Sequence, residues 1–406
     1  MARSDYSAAV IEVVGIGAAG WDALGAAERA LVLGADRVLG GPRHLDLLPD
    51  VAGQQRTAWP RDLRGALPGL VAGHEERSVV VLASGDPLLA GVGSTLVDLL
   101  GADAVRVHPA VSSVALAAAR LGWAAGSYAV VRLRGDDVDL VRRELYPGRR
   151  VLVLARDAGT PAEVSALLVE DGYGDSTLTV LGDLGAPEET RADVVAAAWS
   201  GSGPALAVVA VQCAAGSAAM TASLAPGLPD TAYEHDGQLT KRDLRASALA
   251  HLQPRPGALL WDVGAGAGSV GVEWMRSHPT CRAVAVEQHE ERAARVRRNA
   301  ARLGVPGLTT VVGSAPDALV GLPAPDAVFV GGGGSAAVLD AVWAALRPGG
   351  RLVVHAVTQE TEMLVAARWR EHGGSLTRIA VEHLEAIGGF HGWKPARAVV
   401  QWGVVR

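Results

Sequence analysis

The feature that most constrains this chain is a glycine-rich stretch, LLWDVGAGAGSVGVEW, at residues 259–274. It follows a short apolar run that reads as a buried strand. Glycines at Gly264, Gly266 and Gly268 let the backbone turn sharply and come very close to a ligand that passes over a strand end. A helix predicted from Ser269 adds free backbone N–H groups there. The stretch therefore predicts an α/β domain that binds a nucleotide-like cofactor.

An acidic residue supports this interpretation. Glu287 ends the next predicted strand, roughly twenty residues further on, where a carboxylate can accept hydrogen bonds from both hydroxyls of a ribose. The same loop also fits the G-x-G-x-x-G pattern of dinucleotide sites through Gly271. A nicotinamide- or flavin-dependent oxidoreductase therefore stays open at this point. A non-catalytic binding scaffold with degenerate sites is the other alternative.

The chain of 406 residues is long enough for two or three domains. Val/Leu-rich runs alternate with helical stretches from Ala9 to about Gln212, which predicts an α/β half with mostly parallel, doubly buried strands. A stretch rich in small residues, Pro and Gly follows at 214–238 and is interpreted as a linker. A second α/β series then begins, so we expect two domains, 1–225 and 226–406. The charged stretch at 134–150 is interpreted as joining two lobes of the first half.

Composition excludes several classes of protein. The two cysteines have no C-x-x-C partner, which argues against a disulfide framework and a cysteine-based zinc site and fits a reducing, cytoplasmic location. We predict no metal site. No uncharged apolar run reaches the roughly 18 residues of a membrane span, and the N-terminal apolar run is interpreted as a first strand. The net charge of −6 argues against nucleic-acid binding.

Lysine is almost absent from the sequence. Of 37 basic residues only two are lysines, Lys241 and Lys394, and the rest are arginines. A composition bias explains the excess of arginine. The two remaining positions are candidates for sites where a planar guanidinium cannot replace a compact ammonium group.

Two later segments of the C-terminal half narrow the choice of cofactor. DAVFVGGGG at 326–334 reads as a strand and a turn, and LRPGGRLVV at 346–354 follows a helix and opens a late strand. Together with the glycine loop and Glu287, these segments resemble the class I S-adenosylmethionine methyltransferases, whose domain is Rossmann-like and seven-stranded. The resemblance implies that adenine lies near Gly313. It assigns cofactor contacts to Thr240, Gly264, Ala265, Gly266, Ala267, Gly268, Glu287, Ser314 and Ala315.

The N-terminal half carries a different set of loops. VVGIGAAG at 13–20 matches G-x-G-x-x-G, but the following strand ends in Gly40-Gly41-Pro42 without an acid for ribose. An S-G-D-P loop and a P-x-x-S-S helix start follow in an order that resembles the two-lobed tetrapyrrole methylases (class III methyltransferases). As an isolated feature, the serine pair fits a helix cap. The resemblance implies that S-adenosylmethionine contacts Gly15, Gly17, Ser84, Gly85, Asp86, Pro87, Ser112 and Ser113.

The fusion of these two domain types is itself distinctive. With the segments at 227–246 and 388–396, the chain resembles the precorrin-6Y C5,15-methyltransferases (decarboxylating) of cobalamin synthesis. The resemblance implies two S-adenosylmethionine sites. The N-terminal domain would methylate carbon 5 of the macrocycle, and the C-terminal domain would methylate carbon 15 and release the ring-C acetate as carbon dioxide, giving precorrin-8X. It also implies a homo-oligomer.

The substrate of such an enzyme is an anionic tetrapyrrole, so cations must hold it. We predict that the segment with Lys241, Arg242 and Arg245 lines the C-terminal substrate pocket together with the segment that holds His391 and Lys394. His391 is the candidate proton donor for loss of carbon dioxide.

Overall fold

The computed structural model describes residues 10–60, 62–72, 74, 77–89, 91–133, 137–217, 219–220 and 223–406. The chain divides into two compact units. The first comprises the described residues of Met1–Gly135 and Gly148–Gly216, and the second those of Asp136–Pro147 and Ser217–Arg406. The stretch at 137–147 therefore belongs with the C-terminal unit, and its prediction as a connection between two lobes is wrong. Residues 1–9 and 134–136 lie outside the described part of the chain.

The first sheet of the N-terminal unit is parallel, as the sequence predicts, with strand order β3-β2-β4-β1-β5. Its central strands are Val-rich and buried on both faces, because apolar clusters cover each side of the sheet. The strands are β1 Ile11–Ile16, β2 Arg37–Gly40, β3 Gln55–Ala58, β4 Val79–Ser84 and β5 Val105–His108. The helices are α1 Ala26–Gly34, α2 Pro42–Asp46, α3 Leu63–Val71 and α4 Val92–Leu100.

The second sheet of this unit corrects the prediction of mostly parallel strands. Its order is β6-β7-β10-β8-β9, and only the β6–β7 pair is parallel. Because β10 is buried along nearly its whole length, its apolar run reads like a parallel core strand. The strands are β6 Ala129–Arg132, β7 Arg150–Leu154, β8 Thr177–Gly182, β9 Thr190–Val195 and β10 Ala207–Gln212. The helices are α5 Ser113–Leu121 and α6 Thr160–Glu170.

The C-terminal unit has one seven-stranded sheet of order β13-β12-β11-β14-β15-β19-β16, in which β19 is antiparallel to both its neighbours. Apolar clusters cover both faces. Its strands are β11 Leu259–Val263, β12 Arg282–Glu287, β13 Thr309–Val312, β14 Ala327–Val330, β15 Arg351–Ala356, β16 Ser375–Ile379 and β19 Val399–Val405. Its helices are α7 Arg242–Leu252, α8 Ser269–Ser277, α9 Glu290–Arg302, α10 Ala336–Ala345 and α11 Gln359–His372.

A separate hairpin interrupts this sheet near the end of the chain. Strands β17 Glu382–Ile387 and β18 Phe390–Pro395 lie between β16 and β19 in the chain, and among the described strands they pair only with each other. The sequence suggests one long strand from Leu376 to Gly388, so this prediction is wrong. The stretch instead forms two strands that belong to different sheets. Within the described residues, no helix combines the length and the apolar character needed to cross a membrane.

A buried ion pair attaches the start of the C-terminal unit to α8. The Arg245 side chain has no exposed surface, and its Nε donates to Oε1 of Glu273 at 2.6 Å. Tyr233 donates its hydroxyl to the same oxygen at 2.9 Å, and the backbone N–H of Gly227 donates to Oε2 at 2.7 Å. Each buried charge thus has a partner, which low-dielectric surroundings demand.

We expect Glu273→Gln to destabilise the C-terminal unit by about 3–5 kcal/mol, because it leaves the Arg245 charge buried without its counterion. The exposed pair of Lys394 and Glu385 (2.8 Å) is the matched control. Glu385→Gln should cost less than about 1 kcal/mol. Urea denaturation of the full chain measures both values, and equal effects would contradict the assignment of Arg245–Glu273 as a structural pair.

Candidate active sites

The glycine loop of the C-terminal unit is fixed by close contacts between backbone segments. Gly266 has φ of +59°, and a Cβ placed on it would lie 2.6 Å from the carbonyl oxygen of Gln238. A Cβ on Gly264 would lie 2.5 Å from the carbonyl oxygen of Gly332. No residue with a side chain fits at either position. The loop therefore presents bare backbone, which is the surface that a flat nucleoside needs.

Glu287 stands at the end of β12 and is almost fully buried. Its Oε2 accepts a hydrogen bond from the N–H of Gly266 at 2.8 Å, and its Oε1 accepts one from the N–H of His289 at 3.1 Å. Each carboxylate oxygen retains a second lone pair. Because Glu287 also lines the adjacent cavity, those lone pairs fit a ribose diol, as the sequence predicts.

A second buried carboxyl group lies one strand away. Asp262 on β11 accepts a hydrogen bond from the N–H of Gly271 at 2.9 Å. Burial raises the pKa of Asp262 to about 7, although the Gly271 hydrogen bond opposes the shift and the charge of Glu287 adds to it. Asp262 therefore holds the first turn of α8 against the strand end rather than serving as a second ribose acceptor.

A cavity of about 710 Å³ opens in front of this loop. It brings together most of the predicted cofactor residues, namely Thr240, Gly264, Ala265, Gly266, Glu287, Ser314 and Ala315. Ala267 and Gly268 are buried behind the loop and do not line the cavity. Backbone, one carboxylate and an apolar wall at Val263 and Val286 fit the ribose, adenine and methionyl parts of S-adenosylmethionine.

The structure separates the predicted substrate residues. Lys241 lines the cavity and lies 3.4 Å from Asp230, with a half-exposed side chain. His391 and Lys394 lie on the exposed β18 strand and are not among the residues that line the cavity. Arg245 is wholly buried in the ion pair with Glu273, so its prediction as a pocket residue is wrong.

Sequence reasoning missed four basic groups that line the same cavity. They are Arg292 on α9, His355 at the end of β15, His383 on β17 and Arg397 just before β19. His355 follows the motif LRPGGRLVV directly, so its position at a strand end was available as a signal. His383 lies within the stretch predicted as one strand from Leu376 to Gly388, and Arg397 lies in the predicted last strand, ARAVVQWGVV.

In the N-terminal unit, the loops after β1 and β4 meet at one edge of the parallel sheet. The N–H of Gly85 donates to the carbonyl oxygen of Ile16 at 3.0 Å. A Cβ on Gly15 would lie 2.1 Å from the Gly85 carbonyl oxygen, so only glycine fits there. A Cβ on Gly17 would meet no atom within 4 Å. Gly17 therefore borders open space that a ligand can occupy.

The serines of this site differ in their contacts. Ser112 Oγ accepts from the N–H of Ala115 at 3.1 Å and caps α5, which agrees with the helix-cap interpretation. Ser84 Oγ lies 3.1 Å from Nε2 of His44. Burial, together with the adjacent Arg43 charge, lowers the pKa of His44 to about 4. The imidazole is therefore neutral.

A cavity of about 570 Å³ opens between the two sheets of this unit. Six of the predicted residues line it, namely Gly17, Ser84, Gly85, Asp86, Ser112 and Ser113. Gly15 and Pro87 support the loops from behind and are not lining residues. Four lining residues that sequence reasoning missed are basic: Arg43, His44, Arg132 and Arg156. The three arginines supply positive charge beside the predicted cofactor loops, whereas His44 is neutral.

Each unit matches a known class of domain. A sequence profile for tetrapyrrole (corrin/porphyrin) methylases matches residues 10–198, and one described as a precorrin methyltransferase domain matches residues 231–406. Together with the loop geometry, these matches define the chain as a fusion of two methyltransferase domains.

Relatives match over nearly the whole length. The chain is 46% identical to a precorrin-6Y C(5,15)-methyltransferase (decarboxylating) from a Sinorhizobium species, covering 97% of this chain and 95% of that protein. It is 42% identical to the protein of the same name from Mycobacterium tuberculosis, covering 98% and 100%. The crystal structure of the C-terminal domain of precorrin-6Y C5,15-methyltransferase from Rhodobacter capsulatus shares 45% identity, covers 46% of this chain and 100% of that one, and gives a TM-score of 0.44. The chain belongs to the precorrin-6Y C5,15-methyltransferase family.

We expect the stability of the protein without cofactor to depend on the protonation of Asp262. Its pKa of about 7 lies above the value near 4 of an unfolded aspartate. The folded state thus binds the extra proton, so the stability from this group is complete below about pH 4 and is lost as pH rises through about 7. In Asp262→Asn, urea denaturation should show a smaller fall in unfolding free energy between about pH 5 and pH 8.

The exposed carboxylate of Asp340 provides the control for this measurement, since Asp340→Asn also removes one carboxylate from the same unit. The raised pKa of Asp262 would be contradicted if the unfolding free energy of the wild type rose between about pH 5 and pH 8 in parallel with that of Asp262→Asn.

Proposed function

We propose that this protein methylates precorrin-6Y at carbons 5 and 15 and removes carbon dioxide from the ring-C acetate, giving precorrin-8X. The observation that carries the proposal is that each unit has its own glycine-built loop at a strand end, opening on a separate cavity. The names of the full-length relatives support the same reaction.

We assign one methyl transfer to each domain. The domain at 1–225 acts on carbon 5, and the domain at 226–406 acts on carbon 15 and releases carbon dioxide. The match of the first half to tetrapyrrole methylases and of the second to a precorrin methyltransferase domain supports this division. The decarboxylating step is assigned to the C-terminal cavity as part of this proposal.

Binding and orientation of the reactants account for most of the acceleration of the methyl transfer. S-adenosylmethionine, when bound, supplies a methyl group on a positively charged sulfur. The backbone at Gly266 and the carboxylate of Glu287 would hold the donor, and the rest of the cavity would take the macrocycle. A meso carbon of a reduced tetrapyrrole is already nucleophilic, so in-line positioning and exclusion of water are sufficient, and the methyl transfer needs no strong base.

We expect the full chain to bind two equivalents of S-adenosylhomocysteine. Gly17→Leu should reduce the stoichiometry to one, because the new side chain has room in the fold but fills the N-terminal cavity. Glu287→Gln should weaken the other site by at least about tenfold, since an amide cannot accept both loop hydrogen bonds and bind ribose. Isothermal titration calorimetry measures both changes.

Radioactive methyl transfer by the same variants separates the two activities. Gly17→Leu should keep methylation at carbon 15 and lose it at carbon 5, and Glu287→Gln should do the reverse. Binding of NAD in place of S-adenosylhomocysteine would favour an oxidoreductase, and binding without turnover would favour a scaffold.

We also propose that Lys241 and Arg397 pair with substrate carboxylates in the C-terminal cavity, because both line it. Lys241→Ala should raise KM for carbon-15 methylation by about tenfold through loss of one charge-assisted contact. Lys394→Ala is the comparison, because that side chain pairs with Glu385 outside the cavity. A larger effect at Lys394 than at Lys241 would favour the sequence-based assignment of β18 as part of the substrate site.

Two further properties stay predictions. The β17–β18 hairpin supports a homo-oligomer for two reasons. Its aromatic side chains Phe390 and Trp393 are 82% and 67% exposed. A two-stranded sheet is also only marginally stable by itself. A cytoplasmic location is supported by the cysteine content, since the chain has only two cysteines, Cys213 and Cys281, and both are buried.

A further inference from the structure

A buried imidazole lines the cavity of the C-terminal domain and is not among the predicted cofactor residues. His355 is 8% exposed and lies near the carboxyl end of β15, where it lines the same cavity as Glu287 and Gly266. The neighbouring lining residues Val357 and Val399 are apolar. A titratable group in such a wall can exchange protons with a bound substrate in the absence of competing bulk water.

Two neighbouring strands fix the orientation of this ring. His355 pairs directly with Gln401 across the antiparallel β15–β19 ladder, and its Nε2 lies 2.9 Å from Oε1 of Gln401. Gln401 is itself 1% exposed. Phe329 on β14 packs edge-on against the imidazole with a centroid distance of 4.9 Å. The ring cannot rotate without breaking a buried hydrogen bond.

This arrangement selects one tautomer. An amide oxygen only accepts, so Nε2 of His355 carries the hydrogen and Nδ1 carries a lone pair. Within the described part of the chain, no hydrogen bond to Nδ1 is present. Burial lowers the pKa of His355, with the Gln401 hydrogen bond opposing the shift, so the resting imidazole is neutral. Nδ1 is thus available as a base.

The proposed reaction needs a group that can accept and then donate a proton, because one of its steps releases a proton and the other consumes one in the same cavity. Methyl transfer to a C–H carbon forms a C–C bond, breaks the S–C bond and leaves a cationic ring that must lose one proton. Loss of carbon dioxide from an acetate group leaves an electron pair on the methylene carbon, which must gain one proton. The number of protons released therefore equals the number consumed.

We propose that His355 carries this proton from the carbon that is methylated to the carbon that loses carbon dioxide. Nδ1 removes the proton of carbon 15 from the cationic ring, giving a neutral ring and an imidazolium. Carbon dioxide then leaves, and the imidazolium protonates the methylene carbon to a methyl group. No other reactant is required. The inference rests on the proposed function of this domain and assigns to His355 the role that sequence reasoning gave to His391.

The test measures methyl transfer and carbon dioxide release separately with substrate labelled in the ring-C acetate. In the wild type, the C-terminal domain should give one carbon dioxide for each methyl placed on carbon 15. In His355→Gln, carbon dioxide release should fall by about 100-fold, the usual contribution of a general acid or base, while methyl transfer falls by only a few fold. Mass spectrometry should then show a methylated product that retains its carboxylate.

Three controls make the result decisive. His278→Gln changes a histidine that does not line the cavity and should leave the one-to-one ratio intact. S-adenosylhomocysteine titration checks that His355→Gln still folds and binds the cofactor product. If that variant does not fold, Gln401→Met keeps the imidazole but removes the acceptor that fixes its tautomer, and the ratio should again fall.

The possible outcomes are distinct. A one-to-one ratio in folded His355→Gln overturns the inference while leaving the proposed function in place. A low ratio in His391→Gln combined with a normal one in His355→Gln assigns the proton transfer to the hairpin instead. Absence of both methylation at carbon 15 and carbon dioxide release in the wild type overturns the proposed function itself.

Discussion

The C-terminal site depends on one steric constraint, the approach of three backbone segments around Gly264 and Gly266. The carbonyl oxygens of Gly332 and Gln238 lie so close to these glycines that a Cβ at either one would overlap them. That closeness brings the end of β14 and the start of the domain to the end of β11. It also lets the Gly266 N–H orient Glu287. The shape of the cavity therefore depends on the lack of a side chain at Gly264 and Gly266.

The two domains reach a similar result with different architectures. Both place their loops at the carboxyl ends of parallel strands, where strand ends diverge and leave a crevice. The C-terminal domain adds a buried acid, Glu287, whereas the N-terminal cavity is bordered by Ser84, Ser112 and basic side chains. In the N-terminal domain, Gly15 is required by the protein and Gly17 only borders free space. The two glycines of one motif thus have different physical roles.

Burial divides the charged residues of the C-terminal domain into structural and functional groups. Arg245 and Glu273 satisfy each other inside the protein, and their pairing holds the segment that carries Lys241. Lys241 and Arg397 instead lie at a cavity surface, where a charge can meet an anionic ligand. His355 belongs to both groups. Its Nε2 is held inside the protein by Gln401, and its Nδ1 has no partner among the described residues.

The sequence by itself determined the features that are contiguous in the chain: the strand followed by glycines at 264–268, the acid at Glu287 and the helix cap at Ser112. Each of these depends on local backbone geometry and short-range hydrogen bonds. Only the tertiary structure decided the antiparallel direction of β10, the separate hairpin and the position of His355 in the same cavity as Glu287. An apolar run does not indicate whether its strand is parallel or antiparallel, and a charged residue in the sequence does not indicate whether it is buried. The cavity is lined by residues that are distant in the chain and that only packing brings together.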